Sequence, residues 1–133
     1  YQLKLAKRRG GNFPESNRVV DLVRNKLTEW QPPVSLVHGD LWSGNAAISS
    51  DGAPIILDPA TYYGDRETDL AMTELFGGFP TAFYNGYNEA WELDSGYRQR
   101  KSIYNLYHVL NHFNLFGGGY ASQAKTIIQR LLP

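Results

Sequence analysis

The sequence predicts an α+β fold, mostly helical, with one small central β-hairpin. Two observations lead there. Apolar residues recur at helical spacing on both flanks: Val19, Val23, Leu27 and Trp30 early, and Ile103, Leu106, Tyr107, Leu110 and Phe113 late. Between them, two short strand-like runs, residues 45–49 and 54–58, bracket the turn signal Ser50-Asp51-Gly52. A chain of 133 residues suits one domain with a hydrophobic core and is too short for two.

Taken in order, residues 1–9 read as the tail of a helix, stopped by Gly10 and Gly11, which suit a left-handed cap. Asn12, Pro14 and Glu15 have the spacing of a capping box with proline in the first turn, so a helix is expected to start there. Pro32 and Pro33 end it. Residues 34–37 form a short apolar strand leading into His38-Gly39-Asp40. A hairpin with a loop at 50–53 sets Ser49 against Pro54, Ile48 against Ile55 and Asn45 against Asp58. Facing residues of such a pair stand roughly 4.5–5.5 Å apart at Cα. After Pro59 the pattern turns helical: 69–76 closed by Gly77-Gly78, then 80–89. A long helix through Asn114 stops at Gly117-Gly118-Gly119, and 121–132 follows with Ile127, Ile128 and Leu131 inward. There are no repeats and no low-complexity tract.

Composition narrows the function. Lys plus Arg and Asp plus Glu balance at 13 each, which argues against a nucleic-acid binder. No apolar run is long enough for a bilayer span, and no charged-then-apolar leader is seen, so no membrane partner is expected. The absence of cysteine removes disulfides, thiolate catalysis and Cys-based zinc sites, and fits a cytoplasmic protein. The chain opens on Tyr1 rather than Met, so it is treated as a possible fragment.

The chemistry concentrates in His38-Gly39-Asp40-Leu41-Trp42-Ser43-Gly44-Asn45 and the later Asp58. Asp40 leaves a strand on a loop, where its carboxylate can accept a proton from a substrate hydroxyl. Gly44 permits a tight bend before Asn45. The Asn45 amide oxygen and the Asp58 carboxylate together offer a small hard-oxygen cradle. Magnesium prefers few protein oxygens plus substrate phosphates. A loop Asp as base, with an Asn and a later Asp on metal, is how protein kinases divide the work. An isolated H-G-D is more often a turn, and a lone Asn more often a cap. The ordered combination is what points to phosphoryl transfer.

The runs HGDLWSGN, ILDPATYYGDRETDLAM, ELFGGFP and LYHVLNHFNLFGGGY resemble the C-terminal lobe of the fructosamine (ketosamine) kinases, over essentially the whole chain. The wider superfamily of aminoglycoside phosphotransferases and choline kinases shares the H-x-D-x-x-x-x-N frame. Trp42, Asp58-Pro59-Ala60 and the Y-G-D-R-E-x-D-L-A block separate the narrower family. The resemblance implies that residues 1–133 are one protein-kinase-like C-terminal lobe. It implies Asp40 as catalytic base, Asn45 and Asp58 as Mg2+ ligands, and ATP as co-substrate. The acceptor would be the C3 hydroxyl of a ketosamine. Family members also carry an N-terminal ATP-binding lobe with a phosphate-covering loop and a Lys. No Gly-rich strand-loop-strand precedes residue 34, so that lobe is expected to be a missing partner. The rivals are a kinase of the aminoglycoside or choline type and a non-catalytic pseudokinase.

Other residues have quieter readings. His38 is expected to hold the loop through backbone hydrogen bonds, and Asp69 to accept N–H bonds from the same loop, with a role for Asp65 left open. Arg66 and Glu67 read as an exposed pair of little energetic weight. Trp42 either stacks on the sugar or packs beneath the loop; Tyr62, Tyr63 and Tyr87 line the acceptor pocket or sit half-buried in the core. His108 and His112 share a helix face, but with no third ligand evident, packing is the better reading.

Overall fold

The computed structural model describes residues 1–132, which form two compact units, residues 1–31 with 102–132 and Pro32–Lys101. Among the described residues, no helix is long and apolar enough to cross a membrane.

The first unit is all helical. It contains α1 (Gln2–Arg8), α2 (Ser16–Thr28), most of α5 (Tyr97–Phe116) and α6 (Tyr120–Leu131). Its buried apolar residues are Ala6, Phe13, Val19, Ile103, Leu106, Val109, Leu110, Ala124 and Ile128. On α5 and α6 they recur every three or four residues, which puts them on one face of each helix. Phe13 meets Phe113 edge-on at 5.7 Å. Amide groups tie α1 to α5: Gln2 Nε2 donates to Asn111 Oδ1 (3.2 Å), and Asn114 Nδ2 donates to Gln2 Oε1 (2.7 Å).

The start of α2 differs from the expected capping box. The helix begins at Ser16 with no side-chain cap, and the Glu15 carboxylate pairs with Arg18 at 2.9 Å instead. Residues 14 and 15 form a turn first, and Ser16 Oγ donates back to Phe13 O at 2.5 Å. That turn takes up the residues a cap at Asn12 needs. At the other end of the unit, Gly117 closes α5 at φ 68, in the left-handed region.

The second unit holds both sheets, each of two antiparallel strands. β1 (Val34–Val37) pairs with β4 (Tyr62–Asp65), with Val34 opposite Asp65 and Val37 opposite Tyr62. The sequence reading, helical after Pro59, missed β4. Its run Tyr-Tyr-Gly-Asp is too short for a period to register, and its partner is remote in sequence. β2 (Ala46–Ile48) and β3 (Pro54–Ile56) form the expected hairpin, but slipped by one: Ile48 faces Pro54 and Ala47 faces Ile55. The turn explains the slip. Gly52 at φ 87 donates to Ser49 O (3.0 Å), and Ser49 N donates to Ala53 O (2.9 Å). This is a three-residue loop with its glycine left-handed, one residue shorter than assumed. Ser49 Oγ accepts from Ala53 N (3.0 Å) and bonds the Asp51 carboxylate, which that bond, above all, holds below the usual range.

Helices α3 (Glu67–Thr73) and α4 (Thr81–Ala90) follow. Leu70, Ala71, Met72 and Thr73 are buried, as is Val37 of β1. The expected exposed pair Arg66–Glu67 does not exist. Glu67 is 2% exposed and forms a two-bond ion pair with Arg100 (2.7 and 2.8 Å). Arg66 donates to the carbonyls of Trp91 (3.0 Å) and Glu92 (2.7 Å) and lies over the Trp91 ring at 4.1 Å. Adjacent residues at a helix start point different ways, so each finds its own partner.

Candidate active site

The loop after β1 is built around a glycine. Gly39 has φ 82, and a Cβ there would stand 2.2 Å from Ala60 O. Only glycine permits both the left-handed turn and the close approach. Ala60 N in turn donates to His38 O at 2.8 Å, stitching the loop to the segment after β3.

Three side chains lock this turn. Asp69, in the first turn of α3, accepts His38 N (2.6 Å) and Gly39 N (2.9 Å) on its two carboxylate oxygens. Charge-assisted bonds of this kind are stronger than neutral ones. His38 is buried, with Nε2 2.8 Å from Leu57 O and Nδ1 accepting Asp40 N at 3.3 Å. That pattern assigns the proton to Nε2, because Nδ1 serves as acceptor. Asn45 is buried in a short 3-10 turn (Ser43–Asn45); its Nδ2 donates to Asp40 O (2.9 Å) and to Asp40 Oδ2 (3.0 Å). The Asp40 carboxylate, half-buried, is thereby oriented through one oxygen.

Asp58 is placed differently from the register argument. Asn45 faces Leu57, whose N donates to Asn45 O at 2.9 Å, so Asp58 lies one residue beyond the pair. It is exposed and sits at φ 48, the one positive φ outside glycine among the described residues. Asp tolerates that region better than most side chains, and such strain gathers at functional sites. The donor chemistry fits a magnesium ion: the Asn45 amide uses only its nitrogen on Asp40, leaving Oδ1, and the Asp58 carboxylate is a second hard oxygen.

Trp42 is 39% exposed and lies across Gly44, where a Cβ would be 2.3 Å from its ring, with Phe76 edge-on at 6.5 Å. The ring thus packs on the loop itself and stays partly exposed. Tyr62 covers Gly64 and donates from its hydroxyl to Thr68 Oγ1 (3.3 Å), while Tyr63 is exposed. Tyr87 lies 5.3 Å from the Arg66 guanidinium. Asp65 accepts Glu67 N at 2.9 Å just ahead of α3. His112 Nδ1 is 2.8 Å from His108 O, and its ring lies against Phe116 and Tyr120. Among the described residues no three His, Cys, Asp or Glu side chains gather as a metal set. Sequence reasoning missed the roles of Glu67 and Arg100; an acid two residues before Asp69 on a seven-residue helix was the available signal.

Comparison with known proteins gives one consistent answer. A protein of Synechocystis sp. named as a probable ketoamine kinase is 63% identical over 132 residues, covering 99% of this chain and 45% of the relative. A chloroplastic protein-ribulosamine 3-kinase of Arabidopsis thaliana is 44% identical over 135 residues, covering 99% of this chain and 41% of the relative. A crystal structure of a protein named as a fructosamine-3-kinase, from Haemophilus somnus, superposes with TM-score 0.89 at 38% identity, over 99% of this chain and 45% of that one. The chain therefore spans less than half the length of these relatives. The fructosamine kinase family model matches residues 1–133. With a family match over residues 1–133 and relatives and a solved structure that agree with it, this chain belongs to the fructosamine kinase family.

Proposed function

We propose that this chain is the catalytic-loop and acceptor-binding part of an ATP-dependent kinase that phosphorylates a sugar hydroxyl on ketosamines. The observation that carries the reading is the Asp40 carboxylate, held by Asn45 on a loop whose backbone is fixed by Asp69. A base must be held within a fraction of an ångström of productive geometry. Asp40 accepts the proton of the attacking hydroxyl through the carboxylate oxygen that Asn45 does not hold. Asn45 Oδ1 and the Asp58 carboxylate would hold Mg2+, which takes few protein oxygens alongside substrate phosphates. When bound, the ion neutralises charge that develops on the transferring phosphoryl group. Trp42 and Tyr62, both partly exposed, border the acceptor. The names of the relatives favour a ketoamine over choline or an aminoglycoside as acceptor. The ATP-binding lobe belongs to the part of the longer polypeptide that this chain does not span.

The test is phosphate transfer to fructose-lysine by the full-length polypeptide with Mg2+ and ATP, using choline and an aminoglycoside as control acceptors. Asp40→Asn is expected to lower kcat by roughly 10²–10⁴-fold, the usual share of a general base, with a much smaller change in KM. Turnover of a control acceptor but not of fructose-lysine would move the protein to the neighbouring kinase class.

A further inference from the structure

The catalytic-loop support does not end at Asp69. Helix α3, which carries it, is only seven residues long, and a helix that short has no rigidity of its own in water. Its first turn is gripped by residues 91–100. Arg66 donates to the carbonyls of Trp91 and Glu92, and stacks on the Trp91 ring. Glu67 forms the two-bond pair with Arg100, whose side chain is 10% exposed, and Arg100 Nη2 also donates to Asp94 Oδ1 at 2.7 Å. Asp94 closes its own turn by accepting Gly96 N at 2.8 Å. An unbroken chain of short polar contacts thus runs Asp94–Arg100–Glu67, along two residues of α3 to Asp69, and on to the His38 and Gly39 amides beside Asp40.

A buried ion pair is a poor way to gain stability, because desolvation offsets most of the attraction and an apolar pair of similar volume does as well. What the pair supplies, and an apolar pair does not, is a fixed direction: a planar guanidinium fork on a carboxylate admits one arrangement. We propose that Glu67 and Arg100 are positioning residues for phosphoryl transfer. They set the rotation of α3 about its axis, and hence the site at which Asp69 holds the catalytic loop. This rests on the kinase reading of Asp40, so the test includes a readout that does not.

The experiment uses the full-length polypeptide with Glu67→Gln, and with the apolar double replacement Glu67→Leu/Arg100→Met. Three quantities are measured: Tm, the kcat and KM values for fructose-lysine and ATP, and hydrogen exchange of the His38 and Gly39 amides by NMR. Glu67→Gln is expected to lower kcat roughly 10- to 100-fold, the cost of misplacing a reacting group by a fraction of an ångström to an ångström. Both KM values are expected to stay within about twofold, as for an interaction felt mainly in the transition state. The double replacement is expected to regain the wild-type Tm, yet to keep the low kcat and the fast exchange at His38 and Gly39. Recovery of kcat together with Tm would show a merely structural pair and overturn the proposal, as would unchanged exchange at the two amides in Glu67→Gln. If the wild-type polypeptide turns over no ketosamine, the kinase reading fails, and the exchange comparison still decides whether the ion pair governs the loop.

Discussion

At the scale of single residues, the site trades comfort for chemistry. Asp58 occupies left-handed backbone that costs an ordinary residue about 1–2 kcal/mol. Asp58→Gly relieves that strain, so its unfolding free energy is expected to be no lower than wild type, while magnesium-dependent turnover is lost. A urea titration beside a turnover assay checks both halves; a variant that keeps turnover would overturn the proposed role of Asp58 as a magnesium ligand. Tyr97 shows a different constraint. Burial first, and then the hydrogen bond it donates to Glu74 (2.7 Å), hold its phenol well above the usual tyrosine range. A group whose folded pKa is raised contributes stability that is intact below its unfolded value and is lost as pH climbs toward the folded one. Stability is therefore expected to fall from about pH 10 upward. Tyr97→Phe should flatten that fall, seen as urea midpoints that converge on wild type at high pH.

At the scale of elements, two glycines with nearly the same φ do unlike work. Gly52 turns the β2–β3 hairpin at φ 87 with nothing near the position of a Cβ, whereas Gly39 turns the catalytic loop at φ 82 with Ala60 O at 2.2 Å. Gly52→Ala bears only the left-handed strain, about 1–2 kcal/mol by chemical denaturation. Gly39→Ala adds a clash with backbone that cannot swing aside, so its loss is expected to be clearly larger and to be accompanied by loss of turnover. Equal losses for the two would mean that the loop yields to the added methyl group. The hairpin also shows how much an element depends on its turn. One residue fewer in the loop shifted every cross-strand pair, and with it the partner of Asn45.

At the scale of the whole chain, the small sheets leave apolar surface uncovered. In β1, Val34 and Leu36 are exposed while Val37 is buried, and Tyr63 opposite Leu36 is exposed as well. Ile48 and Ile56 of the hairpin are likewise exposed. Contiguous apolar patches on soluble proteins mark contacts. On the proposed reading these residues are one lobe of a longer polypeptide, whose other lobe would cover such faces. Alone, the 133-residue chain is expected to bind a hydrophobic dye and to self-associate more than the full-length polypeptide. On the proposed reading, in which the ATP-binding lobe lies outside these residues, the chain alone is also expected to show negligible phosphotransfer. Equal dye binding by the two would mean that these faces stay open in the longer protein.

The sequence by itself determined the helical flanks, the strand before His38, the existence of the hairpin and the local frame from His38 to Asn45. All of these are set by short-range rules: apolar periodicity, glycine and proline punctuation, and fixed offsets between functional groups. Tertiary structure alone decided the rest. The β1–β4 pairing joins strands that carry no mark of each other, and the hairpin register was settled by which hydrogen bonds closed the Ser49–Ala53 turn. The burial of Glu67 against Arg100 was invisible for the same reason. A charged residue reads as exposed until a partner 33 positions away comes within 2.7 Å, and only the folded chain brings the two together.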